Sequence, residues 1–138
     1  MTDEASAEPE RGDGPRGGVY DWYRRGLDLL TQGHPAAAAQ LLDRAADAEP
    51  DSRSVREALA RAQFDAGRYA DARDSFAKIV AANPTDDYAQ FGLGLAAARV
   101  GDLGTAVGHL ALAVAMRPDL PHYRSALHGA RAARASAR

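Results

Sequence analysis

The sequence predicts an all-α chain of stacked helical hairpins, and two observations carry that expectation. Pro50, Pro84 and Pro118 stand 34 residues apart (84−50 and 118−84), and Gly33, Gly67 and Gly101 keep the same interval, as do Ala38, Ala72 and Ala106. A fixed period of this length marks stacked supersecondary units, each unable to bury its apolar face alone. Between the punctuating residues the apolar positions follow helical spacing, as Val55, Leu59, Ala62 and Ala66 do in the middle repeat.

Taken in order, residues 1–18 read as a disordered acidic tail, because prolines and glycines among acids and alanines offer no face to bury. Helical patterns then cover about 20–32, 36–48, 54–66, 70–82, 87–100 and 104–116, with a seventh over about 121–134 and a short basic tail at 135–138. Each repeat glycine falls just past the first helix of a pair, where a left-handed residue ends a helix at low steric cost. Each repeat proline follows the second helix, where the chain cannot continue helically. Pro35 and Pro121 fall at helix starts, where a missing N–H does no harm. Ser54 and Glu57 have capping-box spacing, and Asp86-Asp87 suits a helix N-terminus better than a catalytic site.

The expected packing repeats with the same period. Gly26, Ala60 and Gly94 in the first helices face Ala38, Ala72 and Ala106 in the second, so that paired backbones approach closely. Leu42, Phe76 and Leu110 form a column of large residues, and Ala45, Ile79 and Ala113 a smaller one.

Composition narrows the functional classes. A net charge of −2 and a pI near 6.1 give no electrostatic footprint for nucleic acid. Without cysteine there is no disulfide staple, thiolate nucleophile or Cys-ligated zinc. His34, His109, His122 and His128 lack metal-ligand spacing, and neither a phosphate loop nor a Ser/His/Asp set is present. The acidic start has no signal-peptide pattern, and the most apolar run, 103–116, is too short to cross a bilayer. The expectation is a soluble cytoplasmic protein that is not an enzyme, with no cofactor, metal, membrane or nucleic-acid partner. Lys78 is the only lysine beside abundant Arg and Ala, the mark of a GC-rich, bacterial genome.

The repeated columns resemble the tetratricopeptide repeat. Trp22 fits its Trp position, Leu59 and Leu93-Gly94 its Leu-Gly pair, and Gly26 the Gly of the first repeat. Ala38, Ala72 and Ala106 fit its Ala position, Phe76 its Phe, and the three prolines its Pro. Arg25 departs from the Leu, Arg56 and Gln90 from the Trp, and Leu29, Gln63 and Ala97 from the Tyr. The resemblance implies a right-handed superhelix, or solenoid, of three helix-turn-helix units at about 19–52, 53–86 and 87–120, closed by a capping helix at about 121–134. It also implies a small, stand-alone protein with a repeat domain over 19–134.

In this family the first helices line a concave groove that holds peptides. Projected on helical spacing, Tyr20, Tyr23, Leu27 and Leu30 fall on that face, then Glu57, Arg61, Phe64 and Asp65, then Tyr88, Phe91, Leu95 and Arg99. The first and fifth helices are thus apolar on two faces, so the second stripe either packs between repeats or meets a partner. Tyr20, Tyr23, Arg61, Phe64, Tyr88, Phe91 and Arg99 are the candidate partner-binding residues, since aromatics and arginines dominate binding hot spots. An aromatic groove edged by Arg61 and Arg99 suits a peptide with apolar anchors and an acidic residue. Family members that clamp a chaperone C-terminal carboxylate use Lys, Asn and Arg, whereas the corresponding positions here are Tyr23, Leu27, Ala58, Tyr88 and Gly92. That argues against a chaperone-tail adaptor.

The functional expectation is an interaction module or adaptor whose groove takes a segment of a partner protein of unknown identity. Two alternatives stand beside it: a self-associating homo-oligomer, and a non-catalytic regulatory subunit docked on an enzyme.

Overall fold

The computed structural model describes residues 18–137. The expected disordered tail therefore lies, apart from Gly18, outside the described residues, as does Arg138. Seven α-helices and no strand occur among the described residues. They are α1 (Val19–Thr31), α2 (Pro35–Ala48), α3 (Arg53–Asp65), α4 (Tyr69–Ala82), α5 (Asp87–Arg99), α6 (Leu103–Met116) and α7 (Pro121–Ser136). All seven expected helices are present, with α7 running two residues beyond the expected end.

Local chemistry places the boundaries. Gly33, Gly67 and Gly101 adopt φ of 84°, 80° and 88°, the left-handed region open to glycine. After α1, His34 N–H donates to Leu29 O at 2.8 Å and Gly33 N–H to Leu30 O at 3.1 Å. After α5, Asp102 N–H reaches Ala97 O at 2.9 Å and Gly101 N–H reaches Ala98 O at 3.1 Å. These pairs satisfy carbonyls that the helix end would otherwise leave orphaned. Pro35 and Pro121 occupy first-turn positions as expected.

One expected cap is corrected. Ser54 does not cap α3; Ser52 does, its Oγ accepting from Val55 N–H at 3.3 Å. Ser52 has the extended backbone (φ −75°, ψ 110°) that a cap requires, while Ser54 is already inside the helix. The repeat register carries this, because Asp86, 34 residues on, caps α5 by accepting from Ala89 N–H at 3.0 Å.

The chain divides into two compact units, the first through Ala66 and the second from Gly67. In the first, α1 and α3 both pack on α2 around Ala38, Ala39, Leu42, Ala45, Val55, Leu59 and Ala62, all buried. A Cβ on Gly26 would lie 2.6 Å from Leu42, so only glycine admits the α1–α2 approach. In the second unit successive helices from α4 to α7 pack on one another. There a Cβ on Gly94 would meet Leu110 at 2.6 Å and Ala106 O at 3.2 Å, and one on Gly92 would meet the Phe76 ring at 2.4 Å.

The Trp position of the third repeat is filled by a polar residue, and both of its side-chain polar atoms are hydrogen-bonded. Gln90 is buried; its Nε2 donates to Pro84 O at 3.0 Å and its Oε1 lies 2.7 Å from His109 Nδ1. Because the amide nitrogen is committed to Pro84, its oxygen must accept, so Nδ1 of His109 carries the proton.

Candidate functional site

The first unit holds an open cleft of about 350 Å³ lined by Val19, Tyr20, Tyr23, Glu49, Ser52, Ser54 and Val55. Three stretches of chain build it. Gly18, at φ 83°, turns the chain into α1, whose first turn presents Val19, Tyr20 and Tyr23. The α2–α3 connection supplies Glu49 and Ser52, and the first turn of α3 supplies Ser54 and Val55.

Tyr20 is 68% exposed, an unusual degree for an aromatic residue. Arg24, one turn further along α1, donates to its hydroxyl at 3.5 Å. Tyr23 is half-buried: it packs on the core of the unit and also lines the cleft. Val55 is buried. Glu49 is the only charged residue in the lining.

The structure thus brings two of the seven candidates, Tyr20 and Tyr23, into one cleft. Arg61, exposed, and Phe64, half-buried, lie on α3 of the same unit but do not line it. Leu27 and Leu30 pack against the core of that unit.

The remaining candidates lie in the second unit, on α5. Tyr88 meets the Phe76 ring edge-on at 6.0 Å. Phe91 stacks on Tyr123 of α7 with centroids 4.4 Å apart and planes at 22°, and meets His122 edge-on at 5.3 Å. Arg99 sets its guanidinium 4.9 Å over the Tyr69 ring and also donates to the Tyr69 hydroxyl. Phe91 and Arg99 therefore have partners within the unit.

Tyr123 went unnoticed in the sequence, yet it anchors α7. It is 2% exposed, and its hydroxyl donates to Asp87 Oδ2 at 2.7 Å. Burial, and then the hydrogen bond to Asp87, push the phenol well above the usual tyrosine range. Glu49, Ser52 and Ser54 were missed as cleft residues too. One signal existed: Ser54 follows Tyr20 by one repeat length, so the two occupy the same register position.

No group of three or more residues able to hold a metal ion occurs among the described residues. None of the described helices is long and apolar enough to cross a membrane.

Several solved structures share the fold. The first tetratricopeptide domain of Spaghetti (RPAP3), bound to the HSP90 peptide SRMEEVD, superposes with a TM-score of 0.78 at 20% identity, over 85% of this chain and 93% of that one. The first such domain of human RPAP3 gives 0.77 at 21% identity, over 86% and 93%. MamA from Desulfovibrio magneticus RS-1, from residue 41 to its end, gives 0.80 at 22%, over 84% of this chain and 66% of its own length. No curated protein matches the sequence. The tetratricopeptide repeat family model matches residues 23–87 and again 58–121, two overlapping spans that take in most of the sequence, and the chain belongs to that family.

Proposed function

We propose that this chain is a non-catalytic interaction module that binds a peptide segment of a partner protein, with the Tyr20–Tyr23 cleft as its contact site. The observation that carries this reading is the 68% exposure of Tyr20 at the mouth of an open cleft floored by Val55. An exposed aromatic beside a partly apolar recess is the kind of feature that becomes an anchor when a partner excludes water. At about 350 Å³ the cleft lies near the lower end of ligand sites, roughly 300–1,000 Å³, and suits one or two side chains of a longer segment. A solved neighbour, the first RPAP3 domain, carries a bound peptide, which fits the same use of the fold. Arg61 and Phe64 extend the proposed contact along α3. Tyr88, Phe91 and Arg99 take a lesser part in this reading, since their known contacts lie within the second unit. A cytoplasmic setting and a bacterial source belong to the same reading and rest on composition.

A peptide-array screen tests it. Tyr20→Ala should weaken binding of the selected peptides at least tenfold, about 1.4 kcal/mol, with an unchanged melting temperature. Selected peptides that bind the variant and the parent equally would remove the cleft from the site.

A second reading, self-association, is favoured by Leu112. It is 47% exposed on α6, where the equivalent residues one and two repeats earlier are Lys78 and Arg44. No Asp, Glu, Lys or Arg occurs in α6. Sedimentation at low micromolar concentration distinguishes the two: Leu112→Arg should convert a dimer to monomer if this face pairs copies of the chain.

A further inference from the structure

We propose that the Tyr20–Tyr23 cleft selects a segment in which an apolar side chain adjoins an arginine or lysine, a preference that rests on the peptide-binding reading above. The sequence pattern pointed toward an acidic peptide through Arg61 and Arg99, and neither residue lines the cleft. The one charged liner is Glu49, whose carboxylate has no ion-pair partner among the described residues.

The cations nearest in sequence, Arg24, Arg25, Arg53 and Arg56, lie outside the lining. Arg24 is held at the Tyr20 hydroxyl, and Arg56 donates to Pro50 O at 3.2 Å. Arg53 has an interaction of its own.

Tyr20 supplies a second, independent attraction for a cation. A tyrosine face draws a guanidinium within about 6 Å of its centroid. This chain already uses such contacts, with Arg44 at 4.9 Å over Trp22 and Arg99 at 4.9 Å over Tyr69. An incoming arginine could therefore lie on the exposed Tyr20 ring and pair with Glu49, while its apolar neighbour enters the recess over Val55. An acidic residue in that place would face Glu49 and find no cation in the lining.

The test is an NMR titration of the ¹⁵N-labelled full chain with three capped hexapeptides, Gly-Ser-Leu-X-Ser-Gly, where X is Arg, Gln or Glu. The Arg peptide should bind at least tenfold tighter than the Glu peptide, about 1.4 kcal/mol, with shifts centred on Tyr20, Tyr23 and Ser54. In Glu49→Gln, whose side chain is exposed, the Arg-over-Glu preference should fall severalfold, the remainder being the attraction of the Tyr20 ring. Equal affinities for the Arg and Glu peptides, or a preference that Glu49→Gln leaves undiminished, would overturn the charge selection and leave the peptide site standing. If no peptide shifts the cleft resonances at millimolar concentration, the peptide site and its charge preference both fall.

Discussion

Gln90 and His109 join α5 to α6 through a 2.7 Å hydrogen bond, at the register position where the first repeat carries Trp22. The fold thus tolerates a buried amide in place of an indole because both of its polar atoms find partners. The pair has a consequence for pH. Desolvation holds the His109 imidazole below the usual histidine range, so the unfolded chain takes up its proton first. A group with a lowered native pKa costs stability as pH falls through the unfolded value and on through the native one. Melting temperature should therefore drop on acidification below about pH 6.5, the ordinary histidine value. His109→Gln should flatten that drop; an unchanged profile would remove His109 as its source.

Two glycines of the second unit should respond to alanine with opposite signs. A Cβ on Gly92 would sit 2.4 Å from the Phe76 ring, whereas one on Gly108 would meet nothing within 4 Å. Gly92→Ala should destabilise by about 1–3 kcal/mol through overpacking, outweighing its gain in helix propensity. Gly108→Ala should stabilise by about 0.5–1 kcal/mol, since it gains propensity without a clash. Urea unfolding of the two variants reads both signs directly.

The cap assignment of α3 predicts a contrast between neighbouring serines. Ser52→Ala removes the acceptor for Val55 N–H and should cost about 1 kcal/mol. Ser54→Ala removes an exposed hydroxyl inside the helix and should stay within about 0.5 kcal/mol of the parent. Equal losses would return the cap to Ser54.

Tyr123 ties α7 to α5 by a stacked ring and a hydroxyl. Tyr123→Phe keeps the stack on Phe91 but loses the bond to the Asp87 carboxylate, at a cost of about 1.5–3 kcal/mol. Tyr123→Ala should cost more, about 3–5 kcal/mol, because it also empties a buried site. Alkaline titration followed by tyrosine absorbance should show that Tyr123→Phe loses a phenol that resists ionisation in the parent. Parent and variant curves that coincide at high pH would show that the Tyr123 hydroxyl is neither shielded by burial nor held by Asp87.

What the sequence alone determined was the repeat. The 34-residue recurrence of Pro50, Pro84 and Pro118 and of Gly33, Gly67 and Gly101 was enough to locate six paired helices, and helical spacing from Pro121 onward located the seventh. Such residues act through their own backbone: proline stops a helix and glycine takes the left-handed turn whatever surrounds them. Column residues such as Leu42 and Leu110 were legible for a related reason, since burial at helical spacing leaves a period. Tertiary structure decided the rest. The cleft joins residues 19–23 to residues 49–55, and nothing in either stretch announces the other. Phe91 and Tyr123, 32 residues apart, looked like unrelated aromatics until α5 and α7 packed. Ser52, not Ser54, became the cap because the turn after Pro50 left Ser52 with extended backbone. Side-chain chemistry is written in the sequence, but which side chains share a volume depends on packing between elements far apart along the chain.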